Sequence, residues 1–363
     1  MENMMRNMKM ANQNSQRGFT LLELMVSMAL GLLVMGSLTS LFKTGMNSTM
    51  LVTQRAETQQ NMRAAIDLMV KDISMAGAGL PSGGIQLPNG TGWNGLSKYG
   101  CDQTLTCHVT AFNYPNTNYM YGIIPGFSNG VEANAVIPAA PGAINDSITS
   151  IYCDYNFPLF EYDASFVGAT GGQISLVVDP LYAANPPPAA NAAGGIVQGD
   201  LIMLSNSAGT AVGEVTNVSA TTITFNDLDP LNLNQSGAQF NNIKSIQGGS
   251  NTVAYRLNAV TYYLTVPAAG QTPRLMRQVN GLTPVPVADD IINLQFAFDT
   301  YNNGALDANQ VNPLGVAESP NNIQKINIVV MGQSIINNGN KAQNMYLATS
   351  VSARNMAFRN RYQ

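Results

Sequence analysis

The first apolar run in the chain is long and almost free of charge. Between Phe19 and Phe42, Glu23 is the only charged side chain. A helix of about 24 residues rises about 36 Å, which is enough to cross a hydrocarbon core of about 30 Å. The preceding flank carries three basic residues and one acid, Arg6, Lys9, Arg17 and Glu2, which favours the cytoplasmic side. The pattern therefore predicts a single-pass membrane helix, with the downstream chain outside the cytoplasm.

A second helical pattern follows the apolar run. Four apolar residues recur at spacings of four, three and four, on one helix face: Met62, Ile66, Met69 and Ile73. Four charged residues fall mostly off this face: Arg63, Asp67, Lys71 and Asp72. The stretch GAGLPSGG after Ala76 contains the glycine and proline residues that end helices. We predict one helix from about Phe19 to Met75, with an apolar half and an amphipathic half that packs on a domain.

The pattern changes beyond residue 77, where short apolar runs are broken by Gly, Pro and Asn. Such runs are typical of β-strands. The predicted strands are 146–153, 173–178, 200–206, 213–225, 253–266, 273–279, 291–299, 323–334 and 345–354. The stretches 182–195, rich in Pro and Ala, and 226–242 are predicted as loops. The chain is therefore predicted to be an α+β protein with a long N-terminal helix and a β-rich body.

Composition narrows the class of protein. Hydrophobic residues make up 45% of the 363 residues, which is enough for a packed core. Charged residues make up only 10%, against about 25% in an average protein, so the surface is polar but weakly charged. The formal net charge is −4 and no long basic run is present, which argues against nucleic acid as a partner.

The three cysteines allow one short disulfide. Cys101 and Cys107 flank the sequence DQTLT, and they can close a small loop if the body lies in an oxidising compartment. Cys153 would then be a free thiol or a competing partner, and a fully reduced state remains an alternative. A zinc site formed by the three cysteines and His108 is disfavoured because the spacing lacks a tight pair of ligands.

One stretch near the C-terminus has partial calcium-loop spacing. In DTYNNGALD, Asp299, Asn303 and Asp307 fit positions 1, 5 and 9 of such a loop. Tyr301 stands at the third ligand position and Gln310 at the terminal glutamate position, so the ligand set is incomplete. We interpret the stretch as an Asn-Gly turn between strands, with calcium as the alternative. No cofactor is predicted.

The sequence contains only weak matches to catalytic motifs. The stretch GFSNG at 126–130 fits the G-x-S-x-G pattern of hydrolases, which requires a histidine after the serine. The single histidine of the chain, His108, lies before it. The phosphate-binding pattern G-x-x-x-x-G-K-[ST] is also missing from the sequence, so the chain is not predicted to be an ATPase or another enzyme.

The stretch RGFTLLELMVSMALG resembles the signal of the type IV prepilin superfamily. The resemblance implies that residues 1–18 are a leader, removed by a membrane peptidase that cuts between Gly18 and Phe19. It further implies N-methylation of the new terminus at Phe19. Glu23, at the fifth position counted from Phe19, would then offset the amine of a neighbouring subunit. The alternative is a glutamate at the membrane interface of an ordinary signal anchor.

The body resembles the larger minor pilins of the PilW type. The motifs that carry this likeness are NDSITSIYCD, GDLIML with GEVTNV, VTYYLT with PRLMRQVNG, VADDIINLQFAFDT and the closing INIVVMG with YLATSVSARN. The likeness implies a pilin-like fold with a helix at 19–76, in which 19–42 is the transmembrane or bundle half and 43–76 the amphipathic half, and a body at 77–363.

The same likeness implies partners and a location. Expected partners are the prepilin peptidase, other minor and major pilins, the inner-membrane assembly platform and a tip adhesin. The chain would be stored in the inner membrane and later displayed on the pilus or cell surface, with roles in adhesion and twitching motility. Two alternatives stay open: a type II secretion pseudopilin of the J type, and a signal-anchored extracytoplasmic binding or enzyme domain.

Overall fold

The computed structural model describes most of the chain. The described residues are 18–88, 119–127, 145–168, 170–227, 229–231, 233–235, 242–267, 271–302, 304–311, 319–334 and 343–357.

The longest element is the helix α1, Leu21–Met75, whose 55 residues extend about 80 Å. Thr20 precedes it with extended backbone angles, φ −71° and ψ 149°, and acts as its N-cap. The helix therefore begins two residues after the predicted start, and it ends at the predicted residue. At Gly77 the backbone enters the left-handed region, φ 78°, which favours glycine and turns the chain away from the helix axis.

Seventeen strands in the described residues form four antiparallel sheets. The largest sheet contains β3 (Ile123–Gly126), β4 (Ser147–Asp154), β7 (Leu201–Asn206), β8 (Gly209–Glu214), β11 (Val253–Thr265), β12 (Arg274–Val279) and β13 (Val285–Ala288). A second sheet contains β14 (Ile291–Asn302), β15 (Ala305–Gln310), β16 (Ile323–Ser334) and β17 (Gln343–Ser352). A third contains β5 (Tyr162–Phe166), β6 (Gln173–Val178), β9 (Asn217–Val218) and β10 (Thr222–Thr224). The strands β1 (Ile85–Gln86) and β2 (Tyr119–Met120) form the fourth.

The strand order shows how the sheets are built. The largest sheet runs β13-β12-β11-β4-β3, with β7 paired to β11 and β8 paired to β7; the second runs β15-β14-β16-β17. Short helical pieces complete the described chain: the helix α2 (Arg354–Ala357) and 3₁₀ turns at Leu159–Glu161, Pro180–Tyr182 and Pro320–Asn322. The predicted α+β architecture, a long apolar N-terminal helix with a β-rich body, is confirmed.

The main core lies between the amphipathic half of α1 and two sheets. The helix packs on β16 and β17 and also contacts β4 and β13. Its buried apolar face holds Met62, Ala65, Ile66, Met69 and Ile73, packed with sheet residues such as Tyr262, Phe296, Ile328 and Val330. Gly332 lets the helix come close, because a Cβ there would lie 2.8 Å from the Thr58 Cγ2 atom. The structure therefore contains the predicted packing of the apolar helix stripe on a sheet.

Two further clusters stabilise the rest of the body. One joins β1 and β2 to the largest sheet through residues such as Leu87, Met120, Ile151 and Leu257. The other fills the region around the third sheet, with Phe157, Leu176, Ile202 and Phe225 among its members. Neither cluster contains a residue of α1, so the apolar contacts that stabilise these parts of the body do not involve the helix.

Two predictions about local structure are wrong. The stretch 213–225 does not form one strand: its start belongs to β8, whereas β9 and β10 pair within the third sheet. Val215 instead donates its backbone N–H to Asp200, and Thr216 to Thr224, so the ladder breaks between β8 and β9. Asp72 does not lie off the packed helix face; its relative exposure is only 2%.

Candidate assembly site at the N-terminus

The start of α1 is closed by a reciprocal capping box. The Thr20 side chain accepts a hydrogen bond from the Glu23 backbone N–H at 3.2 Å. The Glu23 Oε2 atom in turn accepts from the Thr20 backbone N–H at 3.2 Å and from the Thr20 hydroxyl at 3.1 Å. A glutamate at the third helical position satisfies an otherwise unpaired donor and suits the positive end of the helix dipole. Glu23 therefore has a partner within its own chain.

The residues around the predicted cleavage point are open to the solvent. Gly18 and Phe19 precede the helix, and Phe19 is 86% exposed. Among the described residues, and apart from Gly18 and its chain neighbours, no atom lies within 4 Å of the place that a Cβ on Gly18 would occupy. The part of the chain that the structure describes thus leaves the Gly18–Phe19 peptide bond sterically accessible.

The apolar half of α1 is fully uncovered by the rest of the described chain. Every residue from 18 to 46 is exposed, including large side chains such as Leu22, Leu33, Met35 and Phe42. Soluble proteins rarely expose so large a contiguous apolar surface, which marks a membrane or protein contact. Among the described residues, α1 is the one helix long and apolar enough to cross a membrane.

The other end of α1 is held by a polar contact that sequence reasoning missed. Asp72 accepts hydrogen bonds from the hydroxyls of Tyr152 and Tyr262, at 3.0 and 2.5 Å, and from the Arg277 Nε at 2.8 Å. A second Arg277 nitrogen lies 3.3 Å from the Asp72 Oδ1 atom. The donors come from β4, β11 and β12, so three neighbouring strands converge on one helix carboxylate. We call these four residues the Asp72 clasp.

The pKa shifts of the two tyrosines and of Arg277 keep these three side chains as hydrogen-bond donors to Asp72. Burial and the Asp72 carboxylate raise the pKa of the Tyr152 and Tyr262 hydroxyls above its usual value. Burial alone would lower the pKa of Arg277, but its hydrogen bonds and attraction to Asp72 raise it instead. Both tyrosines therefore stay protonated donors and Arg277 stays charged at physiological pH.

The calcium candidates are only partly brought together. The Asp299 Oδ1 atom accepts from the Asn309 backbone N–H and from the Asn327 side chain, and Lys325 Nζ lies 2.8 Å from its Oδ2 atom. Asp307 lies on β15 opposite Thr300. Asn303 lies outside the described residues, and Gly304, φ 84°, stands in the turn between β14 and β15. Protein donors thus occupy both oxygens of Asp299, as expected for a strand hairpin.

The remaining candidates give little further information. Cys101 and Cys107 lie outside the described residues, so their pairing stays a prediction. Cys153 is buried in β4, where a Cβ on Gly79 would come within 2.6 Å of its sulfur atom. In the part of the chain that the structure describes, no cluster of three or more His, Cys, Asp or Glu side chains could hold a metal ion.

Comparison with known proteins identifies the N-terminal signal. Residues 13–39 match the family described as the prokaryotic N-terminal methylation motif, which is the signal of type IV prepilins. The comparisons with curated proteins and with solved structures found no match. The matched signal and the exposed apolar helix make the chain a type IV prepilin-like protein. Proteins of this class act in pilus or pseudopilus assembly, are processed by a prepilin peptidase and interact with other pilins.

Proposed function

We propose that the chain is a minor pilin of the PilW type, which takes part in initiating a type IV pilus and joins its tip complex. The observation that carries the proposal is the division of α1. Its amphipathic half fills the core of the body, whereas its apolar half follows a prepilin signal and is covered by nothing in the described chain. A helix arranged in this way can anchor the body to a membrane and later be buried by other helices.

The proposed cycle begins with cleavage. A prepilin peptidase removes the leader, residues 1–18, and the new amine at Phe19 is N-methylated. The chain is stored as a single-pass protein of the inner membrane, with residues 77–363 outside the cytoplasm. An assembly platform then moves the helix, residues 19–76, into a bundle of minor and major pilins at the cell surface. A tip adhesin is a further proposed partner. The role is assembly rather than catalysis.

The proposed role of Glu23 follows from the cost of charge in an apolar bundle. An unpaired charge within a membrane costs roughly 2.5–3.5 kcal/mol on insertion scales, so intramembrane acids pair with another group. In the stored chain, Thr20 supplies hydrogen-bond donors to Glu23. In the bundle, the amine of a neighbouring Phe19 supplies the opposite charge. On assembly, the Glu23 carboxylate thus exchanges the neutral donors of Thr20 for the positively charged amine of a neighbouring Phe19.

The cleavage site is tested by Gly18→Val. The bulky residue should block cleavage, so the full-length precursor accumulates in the membrane, as measured by mass spectrometry of the N-terminal peptide. The matched control is Gly31→Val, which changes a glycine of α1 that also has open space around it and should be cleaved normally. A mature chain that begins at N-methylated Phe19 supports the proposal, and an intact Met1 in the wild-type protein contradicts it.

The same signal also serves the pseudopilins of type II secretion, so a second experiment separates the two systems. A deletion strain should lose surface pili and twitching motility but retain secretion of exoproteins. Loss of secretion with normal piliation would contradict the PilW assignment and favour a pseudopilin.

A further inference from the structure

The apolar contact between α1 and the body does not by itself define one axial position of the helix. The apolar stripe of Met62, Ile66, Met69 and Ile73 repeats at spacings close to one turn. If the helix moved by four residues, Ile66 would take the place of Met62, and Val70 would take that of Ile66. At these two positions, apolar side chains of similar size would then meet the same sheet residues. Contacts between such residues tolerate exchange, because burial depends on area more than on identity.

The approach of the helix to Gly332 on β16 has the same ambiguity. A Cβ on Gly332 would lie 2.8 Å from the Thr58 Cγ2 atom and 2.9 Å from the Met62 Sδ atom. Two side chains one turn apart therefore share the space over Gly332, so this glycine admits the helix without choosing between them. Side-chain size opposes the displacement at two positions, because Met69 would take the place of Ala65 and Gly77 that of the buried Ile73.

The backbone at the end of α1 gives only neutral restraints. Gly77 N–H donates to the Ile151 carbonyl at 2.8 Å, and Cys153 N–H donates to the Ala78 carbonyl at 2.8 Å. Both are ordinary amide hydrogen bonds, which are weaker than bonds to charged groups. Gly77 and Gly79 both adopt left-handed backbone angles, which favour glycine and add no charged contact.

The Asp72 clasp, in contrast, is satisfied in one position only. Asp72 is 2% exposed and is the only charged residue among the buried residues of α1. A move of four residues would put Ala76 or Leu68 opposite Tyr152, Tyr262 and Arg277, and would bury Asp72 away from its donors. A buried charge without a partner is strongly unfavourable. A single buried polar residue fixes the register of coiled-coil helices by the same mechanism.

We propose that the Asp72 clasp fixes the axial register of α1 on the body, so that helix and body move as one rigid unit. The register is a property of the free chain. Its use, to hold the body at a set height when the helix enters a bundle, rests on the proposed function. The clasp thus specifies a position more than it adds stability, because well-packed apolar residues often replace a buried ion pair without loss of stability.

The experiment measures the axial position of α1 on the body separately from the stability of the fold. Spin labels are attached to ketone-bearing residues introduced at Arg63 and Ser350, which are both exposed, one on α1 and one on β17. The distance between the labels is measured by electron paramagnetic resonance on the full-length chain in detergent. The wild-type protein should give one narrow distance. An apolar-clasp variant combines Asp72→Leu, Tyr152→Phe, Tyr262→Phe and Arg277→Met.

The apolar-clasp variant should keep a melting temperature near that of the wild type or above it. Its distance distribution should gain a second population, as expected when the helix moves by one turn, about 5 Å along its axis. The ratio of displaced to native populations should rise at least about tenfold, which corresponds to the loss of one strong hydrogen bond. A folded variant with a single unchanged distance would overturn the proposal, since the clasp would then be a stabilising contact only.

Two further variants keep the test decisive. Asp67→Leu removes the same charge from an exposed position of α1 and should leave the distance distribution unchanged. If the apolar-clasp variant fails to fold, Asp72→Asn keeps the side-chain size and an acceptor for the tyrosines while it removes the charge. It should broaden the distribution, and an unchanged distribution would overturn the proposal. Gly18→Val keeps the clasp intact, so its effect on processing tests the proposed function alone.

Discussion

At the scale of single residues, Glu23 has two roles that both use its carboxylate. Its Oε2 accepts both hydrogen bonds from Thr20 in the capping box. The proposed amine of a neighbouring Phe19 would bind the same carboxylate. The capping role needs only an acceptor, which glutamine also supplies, whereas the pairing role needs a negative charge. Substitutions at Thr20 and Glu23 can therefore separate the two roles.

Glu23→Ala and Glu23→Gln should both be cleaved normally, and both should be incorporated poorly into pili. Glutamine retains the cap but leaves the neighbouring amine without an opposite charge in apolar surroundings. Incorporation is measured by immunoblots of sheared pili against the membrane fraction, with an expected loss of at least about tenfold, or about 1.4 kcal/mol.

Thr20→Ala provides the matched control for these variants. It removes the cap at a cost of about 1 kcal/mol to the helix start, but it keeps the carboxylate. Incorporation of Thr20→Ala should therefore stay close to the wild-type level. If Glu23→Gln were incorporated normally while Thr20→Ala was not, Glu23 would act as a cap and not as the pairing charge.

Two of the acidic residues of α1, Glu23 and Asp72, show what the sequence can reveal about a site. Glu23 is recognised because its signal is local: it is the single charge of an apolar run and lies at the fifth position counted from Phe19. The importance of Asp72 is not visible in this way, because its donors Tyr152, Tyr262 and Arg277 lie 80, 190 and 205 residues away. Only the fold brings those strands together, so a charged residue beside the apolar stripe was assigned to the surface.

At the scale of secondary structure, alternation predicted the buried strands well. The strands β6 and β16 have the predicted bounds, and buried apolar residues alternate along part of each, at Ile174 and Leu176 in β6 and at Ile326, Ile328 and Val330 in β16. The strand β15, in contrast, was missed. Its sequence ALDANQ has no buried position, and it forms because a turn at Gly304 folds it back on β14. Such a strand forms through pairing with its neighbour, so the hydrophobic periodicity of its own sequence does not predict it.

The hairpin around β14 gives a prediction about pH. Burial alone would raise the pKa of Asp299, but Lys325 and the Asn309 and Asn327 donors hold it below its usual value. The folded state therefore binds this proton less tightly than the unfolded state, so the contribution of Asp299 to stability is full above its unfolded pKa of about 3.9. That contribution disappears as the pH falls through the lower, folded pKa.

Asp299→Asn should reduce the free energy of unfolding by about 1 kcal/mol at pH 7, a modest value because Lys325 is 44% exposed. The difference from the wild type should shrink as the pH falls from about 4 to 2. Urea unfolding across this range measures it. Asp163→Asn, at an exposed position of β5, serves as the control and should cost less than about 0.5 kcal/mol at pH 7. A difference for Asp299→Asn that stays constant down to pH 2 would contradict the prediction.

At the scale of the whole molecule, α1 belongs to two environments. Its residues from 18 to 46 are all exposed, whereas Met62, Ile66 and Met69 are central to the main core. The sequence indicated this division through the change from a continuous apolar run to a stripe. The division implies that the apolar half is dispensable for the fold of the body and that the amphipathic half is not.

Two truncated forms test this implication. A form that begins at Asn47 retains every buried residue of α1, so it should be soluble without detergent and melt within a few degrees of the full-length chain. A form that begins at Lys71 lacks Met62, Ile66 and Met69. Loss of a single such side chain costs about 2–5 kcal/mol. The combined loss of all three is therefore comparable with a typical free energy of unfolding of about 5–15 kcal/mol. Circular dichroism should therefore show no cooperative melting for the shorter form. A folded shorter form would mean that the sheets hold the body together without the helix, and that α1 is an attached anchor instead of a part of the core.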